Sequence, residues 1–300
     1  MRTPPQANRY FDPAGLARVG NMELIARQVV EGFLTGRHRS PYHGFSVEYL
    51  DHRAYTPGDE MGRLDWKILA RTDKYYVKLF QDETNLRAYI LLDCSRSMTF
   101  ASSAVSKLAY GSFMAAALTH LMLRQNDAVG LVLFDREVRH YLPPKARPTQ
   151  FRRVLGLLEE VTPGEETDVG PVLHEVAERI HRRGLVILIS DLIDDPAAIA
   201  AGLQHFRHDH HEVIVFHVMD EAELNFPYDR LTSFKDLEGQ GRVVVNPKSL
   251  RDRYTERLEG FIEQIRLDCF DRKVDYNMVN TRQPYDLFLA QYLDKRKRLG

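Results

Sequence analysis

A chain of 300 residues with 44% hydrophobic and 28% charged side chains has the makeup of an ordinary globular protein, with material for one large domain or two small ones. Its formal net charge of −1 gives no overall pull toward nucleic acid or anionic membrane, so neither is expected as a partner. No apolar run approaches the roughly 18 residues that cross a bilayer, and two cysteines are too few for a disulfide framework or a Cys-rich zinc site. Met1-Arg-Thr-Pro-Pro5 lacks the apolar stretch of a signal peptide, so the expected location is cytoplasmic.

Asp12-Pro13 reads as a cap with proline in the first turn, opening an apolar-periodic helix that runs to about Leu34. From Gly36 to Glu83, glycine, proline, tyrosine and charges interrupt short alternating runs such as Tyr75–Phe80, the pattern of an irregular, β-rich extension with long loops. After Leu86 strands alternate with helices. Core strands are expected at Ala88–Leu92, Ala128–Phe134, Leu185–Ile189 and Val213–Val218, and helices at Ser102–Arg124, Pro148–Glu160, Val169–Arg183 and Ala197–Phe206. Glu137–Tyr141 follows Asp135-Arg136 closely enough to be an antiparallel hairpin partner. Ser249 is the expected cap of a long helix carrying Leu250, Tyr254, Leu258, Phe261, Ile262 and Ile265, and Val274–Val279 and Tyr285–Leu293 supply a last strand and helix. The alternation predicts an α/β fold with a doubly wound, mostly parallel sheet over residues 86–300, preceded by a helix and β-rich extension over 1–85.

The most informative run is Ala88-Tyr-Ile-Leu-Leu-Asp93-Cys-Ser95-Arg-Ser97-Met98, where a strand buried on both faces ends in an acid and two alternate hydroxyls. Asp93, Ser95 and Ser97 offer oxygens from one loop to a hard divalent cation; the plainer alternative is a strand followed by a helix cap. Ile189-Ser190-Asp191 ends another strand in an acid, and Glu165-Glu166-Thr167-Asp168 brings a hydroxyl before a helix. In open parallel sheets such strand ends converge on one ligand site. The expected metal site is therefore Asp93, Ser95, Ser97, Thr167 and Asp191, taking Mg²⁺ or Mn²⁺.

The D-x-S-x-S loop, the later threonine and the strand-end Asp191 resemble the metal-ion-dependent adhesion site of von Willebrand factor type A domains. Upstream, Tyr55-Thr-Pro-Gly58-Asp59-Glu60, Leu64-Asp65-Trp66-Lys67 and Ala70-Arg71-Thr72 resemble the segment that precedes this domain in the bacterial "domain of unknown function 58" family. The resemblance implies a type A fold and a Mg²⁺-dependent protein-contact site, non-enzymatic, with a MoxR-type AAA+ ATPase or its client as partner. It implies further that Ser95 and Ser97 ligate the ion directly, Thr167 in one of two states, and Asp93 and Asp191 through water. A partner's carboxylate then takes the open position. Departures from the pattern are Cys94 and Arg96, where small residues are usual, Glu165 and Glu166, where glycines are usual, and Gly62, where the family carries an arginine. Arg96 is a fixed cation, and pointing outward it would read a partner's carboxylate.

Two other function classes compete. A haloacid dehalogenase-type phosphotransferase also has a strand-end Asp, and Asp191 with Asp194-Asp195 imitates its acidic motif, but it needs a general acid where this chain has Ser95. A scaffold with a vestigial metal site is the other. No Gly-x-x-x-x-Gly-Lys-Ser/Thr loop and no His-Glu-x-x-His pair is present. His205, His208, His210 and His211 are expected in a solvated loop rather than as a Zn²⁺ or Ni²⁺ site. Cys94 is expected to be a packed residue, Asp59, Asp65, Trp66 and Arg71 a buried polar network, and Lys295–Arg298 a solvated helix end.

Overall fold

The computed structural model describes residues 12–17, 20–37, 52–56, 66–72, 75–78, 86–164, 168–235 and 241–299. The chain divides into two compact units, one of residues up to 34 together with 86 onward, the other of 35–85.

The N-terminal helix read as one is two, α1 (Pro13–Ala17) and α2 (Met22–Arg37). Gly20 takes the left-handed backbone between them, and the Asn21 carboxamide starts the second by accepting the Leu24 N–H at 2.8 Å. In the smaller unit, β1 (His52–Ala54) and β2 (Tyr76–Lys78) pair antiparallel, with α3 (Trp66–Thr72) between them in sequence. Asp59 and Asp65 lie outside the described residues, as does the Trp66 side chain; Arg71 is exposed.

The larger unit resumes with β3 (Arg87–Asp93), α4 (Lys107–Arg124), β4 (Ala128–Phe134), β5 (Val138–Lys145), α5 (Pro148–Glu159), α6 (Val169–Arg179), β6 (Leu185–Ser190), α7 (Pro196–His208) and β7 (Glu212–Met219). There follow α8 (Glu221–Asn225), the hairpin β8 (Thr232–Lys235) and β9 (Arg242–Val245), then α9 (Pro247–Asp271), β10 (Asp275–Asn280) and α10 (Asp286–Leu299). Six strands form one sheet in the order β10-β7-β6-β3-β4-β5, with only β5 antiparallel to its neighbour. Counted along the chain this is 3-2-1-4-5-6, the doubly wound order, and it reverses between β3 and β6.

Strand alternation builds two cores. Ala88, Ile90 and Leu92 of β3 face one core with residues of α2, α4, α5 and α10, while Tyr89 and Leu91 face the other with α6, α7 and α9. Both faces are covered, which is why these strands are continuously apolar. Removing a buried leucine from such a strand costs about 2–5 kcal/mol.

At the outer edge Gly130 lets β4 and β5 approach closely, since a Cβ there would lie 2.7 Å from the Leu142 carbonyl oxygen. The register shifts beside it, and the buried Gln150 side chain seals the bulge by donating to the carbonyls of Val129 (2.8 Å) and Pro143 (2.9 Å). Two expected boundaries move. The helix expected from Ser102 starts at Lys107, because the Ser102 N–H is bonded to Asp220 (3.0 Å) and Ser106 is the cap. The long helix is capped by Asn246, with Pro247 in its first position, and Ser249 sits inside the first turn. The α8 turn and the β8–β9 hairpin carry too few residues for a periodic signal. No described helix is long and apolar enough to cross a membrane.

Candidate metal centre

The parallel strands bring their C-terminal ends to one edge, and β3 and β6 flank the reversal at which doubly wound sheets hold ligands. Asp93, fully buried, ends β3. Its Oδ1 accepts the Ser95 N–H at 2.9 Å, turning the loop back over the strand, and its Oδ2 accepts the Ser190 hydroxyl at 2.6 Å. Burial, with the neighbouring Asp191 charge adding to it, pushes the Asp93 carboxyl up to about 7 against these hydrogen bonds. Ser190 Oγ also accepts the Leu192 N–H at 2.9 Å, supporting a Leu192 backbone at φ 53. That left-handed conformation costs on the order of 1–3 kcal/mol for a residue with a side chain; Leu192 is held in it by complete burial.

The loop after Asp93 is tied on both sides. The Cys94 N–H donates to Phe134 O and its carbonyl accepts from the Gly164 N–H, both at 2.7 Å. Its thiol is buried and pushed up to about 12 by desolvation first, so Cys94 packs rather than reacts. Ser97 opens a single 3₁₀ turn to Thr99, which places its hydroxyl 3.0 Å from that of Ser95, both residues buried. Oxygen ligands about 2.1 Å from an octahedral Mg²⁺ and adjacent to one another lie about 3.0 Å apart, so the two hydroxyls fit such an ion. Among the described residues no three His, Cys, Asp or Glu side chains gather round one point; the donor set here is hydroxyls with two carboxylates.

Asp191, just past β6, is fully buried and paired with a buried cation that the sequence reading missed. Lys107 Nζ lies 2.8 Å from Asp191 Oδ2 and 2.6 Å from Glu223 Oε1. Burial opposes the ammonium, and the two carboxylates outweigh it, so its pKa is raised. A signal existed: Lys107 continues the i, i+3/i+4 stripe of buried Gly111, Ala115, Leu118 and Met122, where a charge is anomalous. Glu223 Oε2 accepts the Asp220 N–H at 2.8 Å, and Asp220 accepts from Ala222, Ser102 and Thr281.

The structure thus brings Asp93, Ser95, Ser97 and Asp191 to the same sheet edge, with Ser190 and Lys107 added. Thr167, Glu165 and Glu166 lie outside the described residues, and Arg96 is exposed. Asp194 and Asp195 do other work: Asp194 Oδ2 accepts the Val169 N–H at 2.7 Å at the start of α6, and Asp195 caps α7. The expected solvated loop holds in part: His210 lies in an exposed turn before β7 and His208 is exposed at a helix end, but His205 and His211 are not in it. His205 and His208 belong to α7, His205 meets His174 of α6 (3.1 Å), and His211 is buried with its Nδ1 accepting the Gly184 N–H at 3.2 Å.

A model of the family described as "Protein of unknown function DUF58" matches residues 51–260. Over 225 residues the chain is 26% identical to the uncharacterized proteins Rv1480 of Mycobacterium tuberculosis and Mb1516 of Mycobacterium bovis, covering 72% of this chain and 68% of each relative. The solved structure of BatB, a conserved hypothetical protein from Bacteroides thetaiotaomicron, superposes with a TM-score of 0.51 at 18% identity, over 71% of this chain and 99% of that one. An aerotolerance-related membrane protein from Bacteroides fragilis gives 0.50 at 17% identity, over 70% of this chain and 99% of that one. The VWA domain of SpRpn10 superposes at 0.41 and 9% identity, over 69% and 95% of the two chains. With its doubly wound, mostly parallel sheet and a family match over most of its length, the chain belongs to the DUF58 family.

Proposed function

We propose that this chain is a non-enzymatic, cytoplasmic protein-interaction module that grips a partner's carboxylate through a Mg²⁺-dependent adhesion site, in company with a MoxR-type AAA+ ATPase or one of its clients. The type A fold suits protein interaction. The observation that carries the metal reading is the pair of buried Ser95 and Ser97 hydroxyls 3.0 Å apart, beside two buried aspartates at the sheet's reversal. Ser95 and Ser97 would hold the ion with Thr167, while Asp93, fixed by Ser190, and Asp191, fixed by Lys107, would orient its waters. Bound Mg²⁺ or Mn²⁺ supplies a hard Lewis-acidic centre with a position open to a carboxylate oxygen. Arg96 and Ile193 (46% exposed), each exposed and within three residues of one of the two aspartates in sequence, would touch the partner beside that position.

A phosphotransferase has less support: Ser95 stands where its general acid would be, and Asp194 and Asp195 are committed to helix starts. The Lys107–Asp191 pair favours a second reading, the scaffold, because an ammonium already answers one of the carboxylates. Pull-down from the native host with Mg²⁺ and with chelator, using the parent and Asp93→Ala, decides between them. Capture that needs both Mg²⁺ and Asp93 is the expected result; capture that survives chelator and the substitution selects the scaffold.

A further inference from the structure

Lys107 occupies the first helical position of α4, behind the Ser106 cap. A cation there works against the helix macrodipole. Four residues on, Gly111 lies so close to the sheet that a Cβ would come within 2.9 Å of Leu92 and 3.2 Å of Ile189. Residues at i and i+4 share a helix face, so the lysine follows the same line one turn higher, to the ends of β3 and β6. There its ammonium has no exposure and, among the described residues, meets carboxylates alone at hydrogen-bond distance, Asp191 at 2.8 Å and Glu223 at 2.6 Å. Buried ion pairs gain little or nothing in stability over apolar packing of the same volume, so stability alone does not account for this one.

We infer that Lys107 is a built-in competitor for Asp191, neutralising the carboxylate a divalent ion would draw on, so that metal binds weakly alone and firmly only together with a partner's carboxylate. The inference rests on the adhesion-site reading. An ammonium at hydrogen-bond distance in a dry site cancels most of a carboxylate's short-range attraction for a second cation. A partner's Asp or Glu brings back the missing negative charge, so each ligand raises affinity for the other, and by linkage the two effects are equal. Capture then requires metal and acidic partner at once.

Calorimetric titration of the full chain with Mg²⁺ and with Mn²⁺ tests this on the parent, the double variant Lys107→Met/Glu223→Gln, and Glu223→Gln alone. The double variant removes one charge of each sign, so a gain in affinity reports the release of Asp191 rather than a change in overall charge. It is expected to bind about tenfold tighter or more, a direction that lost packing does not produce. Glu223→Gln leaves Lys107 wholly to Asp191 and is expected to bind several-fold more weakly. If the double variant binds no tighter than a parent that does bind, the role of Lys107 is overturned and the adhesion site stands. If neither takes up either metal at tens of millimolar, the adhesion-site reading falls and this inference with it. Should circular dichroism show the double variant unfolded, Lys107→Gln/Glu223→Gln, which keeps the same charge balance and a polar partner for Asp191, carries the test: tighter binding than the parent supports the inference, and equal or weaker binding overturns it.

Discussion

The two edges of the central sheet bury polar groups for different purposes. At the edge where the parallel strands begin, two buried groups serve the main chain: Asp127 accepts the Leu86 N–H at 3.2 Å and His211 accepts the Gly184 N–H. At the edge where the strands end, Asp93, Ser190, Asp191 and Glu223 each accept a main-chain N–H as well, but each also pairs with a second side chain, Asp93 with Ser190, and Asp191 and Glu223 with Lys107. Groups that complete a backbone are explained by folding, since an unpaired buried N–H is costly. Buried pairs of acid with hydroxyl and of acids with an ammonium are not explained in that way, and that contrast supports placing the proposed site at the second edge.

The strongest challenge to this contrast is Lys107→Met alone, which strands Asp191 and Glu223 without their cation. We expect a loss of about 3–5 kcal/mol in urea unfolding; a loss under about 1 kcal/mol would mean the network is not the closed unit described. Acid should act next. His217, fully buried beside Ser190 in the ladder and 2.7 Å from the Tyr276 hydroxyl, is pushed down to about 4 by desolvation first. Above the ordinary value of about 6.5 neither state carries its proton. As pH falls from there to about 4 the unfolded chain takes up a proton that the folded chain refuses, and about 3 kcal/mol is lost. Asp93 slopes the other way, its stabilising proton being lost as pH rises through about 7. Comparing the parent with His217→Gln isolates the histidine: the difference in stability between pH 7 and pH 4.5 should shrink, and equal slopes would refute its burial as a neutral ring.

How far this was readable in the sequence follows from the same contrast. The strand ends were legible because Asp93 and Asp191 follow continuous apolar runs, and the α/β class because strands alternate with helices; the strand order, with its reversal between β3 and β6, was not, since the alternation fits more than one order. Of Lys107 the sequence carried its anomalous place on an apolar stripe but not its partners, because these lie 84 and 116 residues away and only the fold joins them. Ser190 was passed over as the residue before an acid, yet its hydroxyl links β6 to β3. The histidines misled because spacing cannot separate a helix end from a loop; His211 was already committed to Gly184.

Metal should add a smaller, conditional effect. A ligand bound only by the folded chain contributes about 2.7 kcal/mol at a hundred times its dissociation constant, so Mg²⁺ should raise the melting temperature of the parent and leave Asp93→Asn unmoved. An equal rise in both would place the ion elsewhere. The smallest expected change lies at the opposite edge. His211→Ala orphans the Gly184 N–H and should cost about 1–3 kcal/mol while leaving any Mg²⁺ response intact; loss of that response would erase the distinction between the edges.

The prolines of β5 have a consequence for assembly. Pro143 and Pro144 sit on the outermost strand, and neither has an N–H to offer a newcomer. Main-chain pairing with an added strand is therefore hindered at those two positions. The opposite outer strand, β10, carries no proline, so the two flanks of the sheet differ in how readily they would accept a strand, and stacking of copies through both is disfavoured at the proline end.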